Sequence, residues 1–60
     1  MPGTHPDTGA PVSDGECVCF RRLEYCWSEQ RQCWRYTGMI CNPPEVTNAP
    51  TPICGPAENP

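Results

Sequence analysis

The longest amphipathic stretch of the chain runs from Val18 to Tyr36, and it contains neither glycine nor proline. Within it, Cys19, Cys26 and Cys33 recur every seven positions, so at about 100° per residue the three cysteines share one face of a helix. Charged side chains fall mostly on the opposite side. The pattern therefore predicts an amphipathic helix whose apolar stripe also includes Phe20, Leu23, Trp27 and Trp34.

Both ends of this stretch carry helix signals. Residues 13–16, Ser-Asp-Gly-Glu, fit the capping box S-x-x-E, and Gly38 suits the left-handed position that closes a helix. The cysteines nevertheless exclude a straight rod, since positions seven apart lie about 10 Å apart along a helix. A disulfide needs Cα atoms about 4.4–6.8 Å apart. The helix is therefore expected to bend.

The number of cysteines also indicates that the predicted helix bends. Four of the six lie at or before Cys33, so complete pairing within the chain requires at least one bridge between two of these four. A break at residues 27–29 would give a helical hairpin of about 15–26 and 29–37. Six cysteines allow fifteen pairings, and the hairpin favours Cys19–Cys33, Cys17–Cys41 and Cys26–Cys54.

The expected fold class is a small disulfide-rich, mainly α protein, with a bent helix or helical hairpin over about 15–37. Residues 1–14 are predicted to be a flexible N-terminal arm, because they contain little apolar surface to offset the entropy of ordering. Residues 15–55 form the single disulfide-stapled domain, with an extended Pro-rich C-terminal segment after Cys41. Residues 56–60 are expected to fray.

Six cysteines in sixty residues are typical of a secreted disulfide scaffold. Since the first residues show no apolar signal-peptide core, a leader is expected to have been removed. The alternative is a reduced, intracellular metal-binding protein, which the absence of any C-x-x-C pair makes less favourable. We predict a secreted, extracellular protein with no metal site and no cofactor.

The net charge and the types of side chain present argue against several classes of function. The formal net charge is −3 and there is no lysine, which argues against nucleic-acid binding and against membrane insertion. No constellation of nucleophile and base is found, so the chain is predicted not to be an enzyme and to have no catalytic residues. What remains is a monomer that binds a protein receptor or target.

Two surfaces are candidates for that contact. Arg22, Tyr25 and Tyr36 fall together on the outer face of the predicted helix, and exposed Tyr and Arg are favoured at binding hot spots. The alternative function is a small protease inhibitor that presents the Pro-rich loop between Cys41 and Cys54, residues 42–53. In size, acidity and cysteine count the chain is similar to small secreted signals and effectors, such as the water-borne pheromones of ciliates and molluscs and the small phytotoxins of oomycetes and fungi.

Overall fold

The computed structural model describes residues 1–55, so the predicted fraying of residues 56–60 lies outside the described residues. The described chain contains no helix and is built from five strands in two antiparallel sheets. The prediction of a mainly α fold with a helix over about 15–37 is therefore wrong. The strands are β1 (Gly3–Thr4), β2 (Pro11–Val12), β3 (Cys17–Phe20), β4 (Leu23–Ser28) and β5 (Cys33–Ile40).

The three-stranded sheet has the order β3-β4-β5, and its two tight turns interrupt the predicted helix. Strands β3 and β4 are joined by Arg21 and Arg22, which both have positive φ, at 54° and 71°. Two consecutive residues with positive φ form the turn that suits the twist of a two-residue hairpin. At the second turn, residues 29–32, the Gln32 N–H donates to the Ser28 carbonyl at 2.7 Å, and Gln32 has φ 57°.

The helix signals have other roles in this sheet. Ser13 and Glu16 form a turn in which the Ser13 N–H donates to Glu16 Oε1 at 3.0 Å. That is one bond of a capping box, yet no helix follows it. Gly38 does have positive φ, at 87°, but it lies where the register of β4 and β5 shifts rather than at a helix end.

The disulfide pairs are Cys17–Cys26, Cys19–Cys41 and Cys33–Cys54. All six cysteines are paired, so the disulfide scaffold is confirmed. The prediction of a bridge inside residues 17–33 is also confirmed, because Cys17 lies opposite Cys26 across β3 and β4. The three favoured pairs Cys19–Cys33, Cys17–Cys41 and Cys26–Cys54 are wrong, because they assumed a helical hairpin about residues 26–28.

Alternation along the strands sorts the side chains onto two faces. The disulfide face carries the cysteines of the three strands. The other, which we call the aromatic face, carries three rows of side chains in cross-strand register. These rows are Trp27 with Trp34; Val18, Tyr25 and Tyr36; and Phe20, Leu23 and Ile40.

The core lies at one end of the aromatic face. Trp27 and Trp34 are buried there, with their ring centroids 5.6 Å apart in an edge-on arrangement, and Val12 of β2 packs against them. Gly3 of β1 comes so close to Trp27 that an added Cβ would lie 2.6 Å from the indole. The segment predicted as an arm thus contributes a two-stranded sheet that covers the tryptophans.

The Pro-rich segment returns to the same core. The Trp34 N–H donates to the Pro52 carbonyl at 2.8 Å, and the Cys54 N–H donates to the Trp34 carbonyl at 2.9 Å. Ile53 thereby forms a parallel bridge with Trp34 at the outer edge of β5, and Pro50 is fully buried. The division into an arm, a stapled domain and a frayed end stays a prediction.

Candidate binding surface

Two of the three predicted contact residues are brought together by the sheet. Tyr25 and Tyr36 are cross-strand partners on the aromatic face, and their ring centroids are 5.7 Å apart at an interplanar angle of 43°. Tyr25 is half-buried against the core, whereas Tyr36 is 43% exposed. The pair therefore has one ring anchored by packing and one accessible to a partner.

Arg22 lies elsewhere, in the turn between β3 and β4. Its Nε donates to the Cys41 carbonyl at 3.2 Å, and its own carbonyl accepts from the Cys41 N–H at 2.9 Å. These two bonds fix the turn against the residue that follows β5. Arg22 thus lies just past the row of Leu23 and Ile40, which separates it from the tyrosine row.

The uncovered end of the aromatic face forms one apolar surface. The sheet from β1 and β2 covers the tryptophan row, but the two remaining rows contain only half-buried or exposed side chains. Ile40 is the most accessible member, at 73% exposure. We call this surface the open patch, and its members are Val18, Phe20, Leu23, Tyr25, Tyr36 and Ile40.

Sequence reasoning missed Ile40, although a signal for it was present. The predicted helix ends before Ile40, whereas in the structure Ile40 pairs with Leu23 across the sheet. The alternation of apolar residues at 18, 20, 23, 25, 27, 34 and 36 has a period of two within each strand, interrupted at the turns. Read with that period, β5 extends to Ile40 and adds it to the face that carries both tyrosines.

The charged groups of the described residues are distributed unevenly around the open patch. Arg21 and Arg22 are exposed at its outer end, and neither forms a salt bridge with a residue of 1–55. The nearest acid along β4, Glu24, points to the disulfide face, where the Thr37 hydroxyl donates to it at 2.9 Å. The patch therefore combines exposed apolar side chains with two cations at one end.

The Pro-rich loop is bound to the protein along much of its length. The Val46 N–H donates to the Cys19 carbonyl at 2.7 Å. The Asp7 carboxylate accepts from the Thr47 N–H at 2.8 Å and from the Asn48 N–H at 2.9 Å, and these bonds lower the pKa of Asp7. Cys41 and Cys54 each bond a strand cysteine, so they fasten the loop to the sheet rather than to itself.

A concavity lies between the sheet and the end of the Pro-rich segment. It is a groove of about 810 Å³ lined by neighbouring residues of β4 and β5, such as Ser28, Arg35 and Tyr36, and by residues 53–55. Cys17, Glu24 and Cys26 also bring a carboxylate and two sulfurs within 4.8 Å of one another. Because these two sulfurs are bonded to each other, neither is a thiolate that could bind a metal.

Comparison with protein-family models, with curated proteins and with solved structures found no match to this chain. Among residues 1–55, no helix long and apolar enough to span a membrane is present. Three disulfides are consistent with an extracellular protein.

Proposed function

We propose that this protein is a secreted, non-enzymatic ligand that binds a protein receptor or target through the open patch. The observation that carries the proposal is the exposed pair Tyr36 and Ile40 on the face whose other end forms the core. A small domain that leaves apolar side chains exposed beside its core is expected to bury them against a partner. The surface is that of a sheet, not of the helix expected from the sequence.

Anchored aromatic side chains suit this role for an energetic reason. Tyr25 and Tyr36 contact one another, and Tyr25 packs against the tryptophan core, so both rings are ordered before binding. Ordering a side chain in advance reduces the entropy lost on association. Tyrosine and arginine are enriched among residues that dominate binding energy, and the two arginines lie at the end of the same surface.

The experiment compares three immobilised forms of the protein as baits for extracellular fluids and cell-surface extracts of the source organism. The forms are wild type, the double variant Tyr36→Ser with Ile40→Ser, and the control Met39→Ser. Met39 is a matched control because it lies on the same strand and is 61% exposed, but it has no cross-strand partner in the open patch.

The wild type and the Met39→Ser control should retain the same protein. The double variant should retain roughly tenfold less of it, since truncating a hot-spot side chain costs at least about 1–2 kcal/mol. Equal retention by the double variant would exclude the open patch. Failure of the wild type to retain any protein would contradict the binding function itself.

The alternative is a protease inhibitor that presents residues 42–53. Residues 42–45 are exposed, and the loop is fastened at both ends, which would limit its loss of entropy on binding. Against it, the backbone N–H groups of Val46, Thr47 and Asn48 are already bonded within the protein. A panel of serine and cysteine proteases separates the two functions, because only the inhibitor would give stoichiometric inhibition.

A further inference from the structure

The outer edge of β5 is only partly occupied. At Trp34 both backbone groups point outward, and they are taken up by Pro52 and Cys54 of the Pro-rich segment. Register between β4 and β5 is regular from Trp34 to Tyr36, so the backbone groups of Tyr36 point to the same side as those of Trp34. Among residues 1–55, no residue outside the β4–β5 ladder forms a backbone hydrogen bond with the Tyr36 N–H or carbonyl.

The free part of this edge has few of the features that usually protect edge strands. Residues 33–40 contain no proline and no lysine, and three of the exposed large apolar side chains lie on them: Tyr36, Met39 and Ile40. The register shift around Gly38 limits regular pairing to the neighbourhood of Tyr36. An added strand would therefore be short and would depend on side-chain contacts as well as on backbone bonds.

The charge in the β3–β4 turn, at the end of the open patch, indicates which strand would fit. The Arg22 side chain bonds the carbonyl of Cys41, the residue directly after β5, and Arg21 lies beside it in the turn. Since neither arginine has a salt-bridge partner among residues 1–55, an acidic residue of an incoming chain would meet two cations there.

We infer that the partner supplies an extended, acidic segment that adds as a strand to β5 at Tyr36, lays apolar side chains on the open patch and places its acidic end at Arg21 and Arg22. The inference rests on the proposed function and names the mode of recognition. Strand addition of this kind obtains affinity from main-chain bonds and specificity from alternate side chains. The edge already accepts one extended segment, residues 52–54, from the chain itself.

The test uses a displayed library of random linear peptides, selected against the folded wild-type protein. Selected peptides should carry apolar residues at alternate positions and acidic residues toward one end. Their affinities are then measured for a chemically synthesised protein N-methylated at Tyr36, which removes one N–H donor and leaves the side chain in place. The matched control is N-methylation at Asn42, outside the strands.

N-methylation at Tyr36 should weaken the selected peptides by roughly tenfold or more, because it removes a bond and obstructs the edge. N-methylation at Asn42 should change nothing. Arg21→Asn with Arg22→Gly keeps a turn sequence suited to positive φ and removes both cations. It should weaken binding roughly two- to fivefold per arginine and reduce its salt dependence.

Three outcomes would overturn the inference. One is that no peptide is selected, and another is that N-methylation at Tyr36 leaves affinity unchanged. The third is self-association of the wild type that N-methylation at Tyr36 abolishes, because the occupant would then be a second copy. Loss of peptide binding in Tyr36→Ser with Ile40→Ser, without an effect of N-methylation, would refute strand addition while supporting the open patch.

Discussion

Gly3→Ala is the substitution whose effect the structure defines most sharply. A Cβ at position 3 would lie 2.6 Å from two atoms of the Trp27 indole, closer than real side chains approach. Because Trp27 is buried against Val12 and Trp34, it has little room to move away. Overpacking of this kind costs about 1–3 kcal/mol. At about 1.4 kcal/mol per tenfold change, the sheet of β1 and β2 should detach roughly 5- to 140-fold more often.

Amide hydrogen exchange followed by NMR measures this detachment. The His5 N–H donates to the Ala10 carbonyl at 2.7 Å and the Gly9 N–H to the His5 carbonyl at 2.9 Å, so both amides should be protected in the wild type. In Gly3→Ala their exchange should accelerate by the same factor. The Trp27 amide, which donates to Glu16 at 2.8 Å, should be affected less, because the disulfides hold β3, β4 and β5 together.

Gly55→Ala is the matched control, since an added Cβ at position 55 meets no atom within 4 Å. It should leave both amides unchanged. If Gly3→Ala also leaves them unchanged, residues 1–14 do not pack on Trp27, and they form the flexible arm that their composition predicts.

Two further predictions concern single polar groups. Trp27→Phe should destabilise the fold to chemical denaturation more than Trp34→Phe, because the Trp27 indole donates to Glu29 at 2.8 Å whereas the buried Trp34 Nε1 has no partner among the described residues; equal losses would contradict this. The bonds from the loop hold the pKa of Asp7 in the folded protein below its ordinary value of 3.8. The stability that these bonds contribute is therefore complete above pH 3.8. It is lost as the pH falls through the pKa of Asp7 in the folded protein. The Thr47 amide resonance should report a transition below pH 3.8, and persistence of that transition in Asp7→Asn would refute the assignment.

The disulfide scaffold could be predicted from the sequence, but its strands could not be separated from a helix by spacing alone. Cysteines seven apart share a face in a helix, and Cys19, Cys26 and Cys33 also share a face here because turns interrupt the strands. The two turns carry few of the usual signals: positive φ is adopted by Arg21, Arg22 and Gln32 rather than by glycine or asparagine. Because neither turn contains Gly or Pro, the two hairpins could not be predicted from their turn residues.

The prediction that Tyr25 and Tyr36 lie together assumed a helix, and this reason does not apply in a sheet. Eleven residues are about three helical turns, which puts Tyr25 and Tyr36 on one helix face. In the sheet they meet because they are cross-strand partners. The prediction that Arg22 lies beside the tyrosines assumed a helix. In the structure Arg22 lies in the turn at the end of the open patch.

Mapping the disulfides of the folded protein tests the architecture most directly, because the alternative folds differ in which cysteines meet. Stepwise reduction and alkylation followed by mass spectrometry can separate Cys17 from Cys19, which proteolysis leaves in one peptide. The sheet requires Cys17–Cys26, Cys19–Cys41 and Cys33–Cys54. A Cys19–Cys33 bridge would contradict the sheet and, with it, the open patch on which the proposed binding function rests.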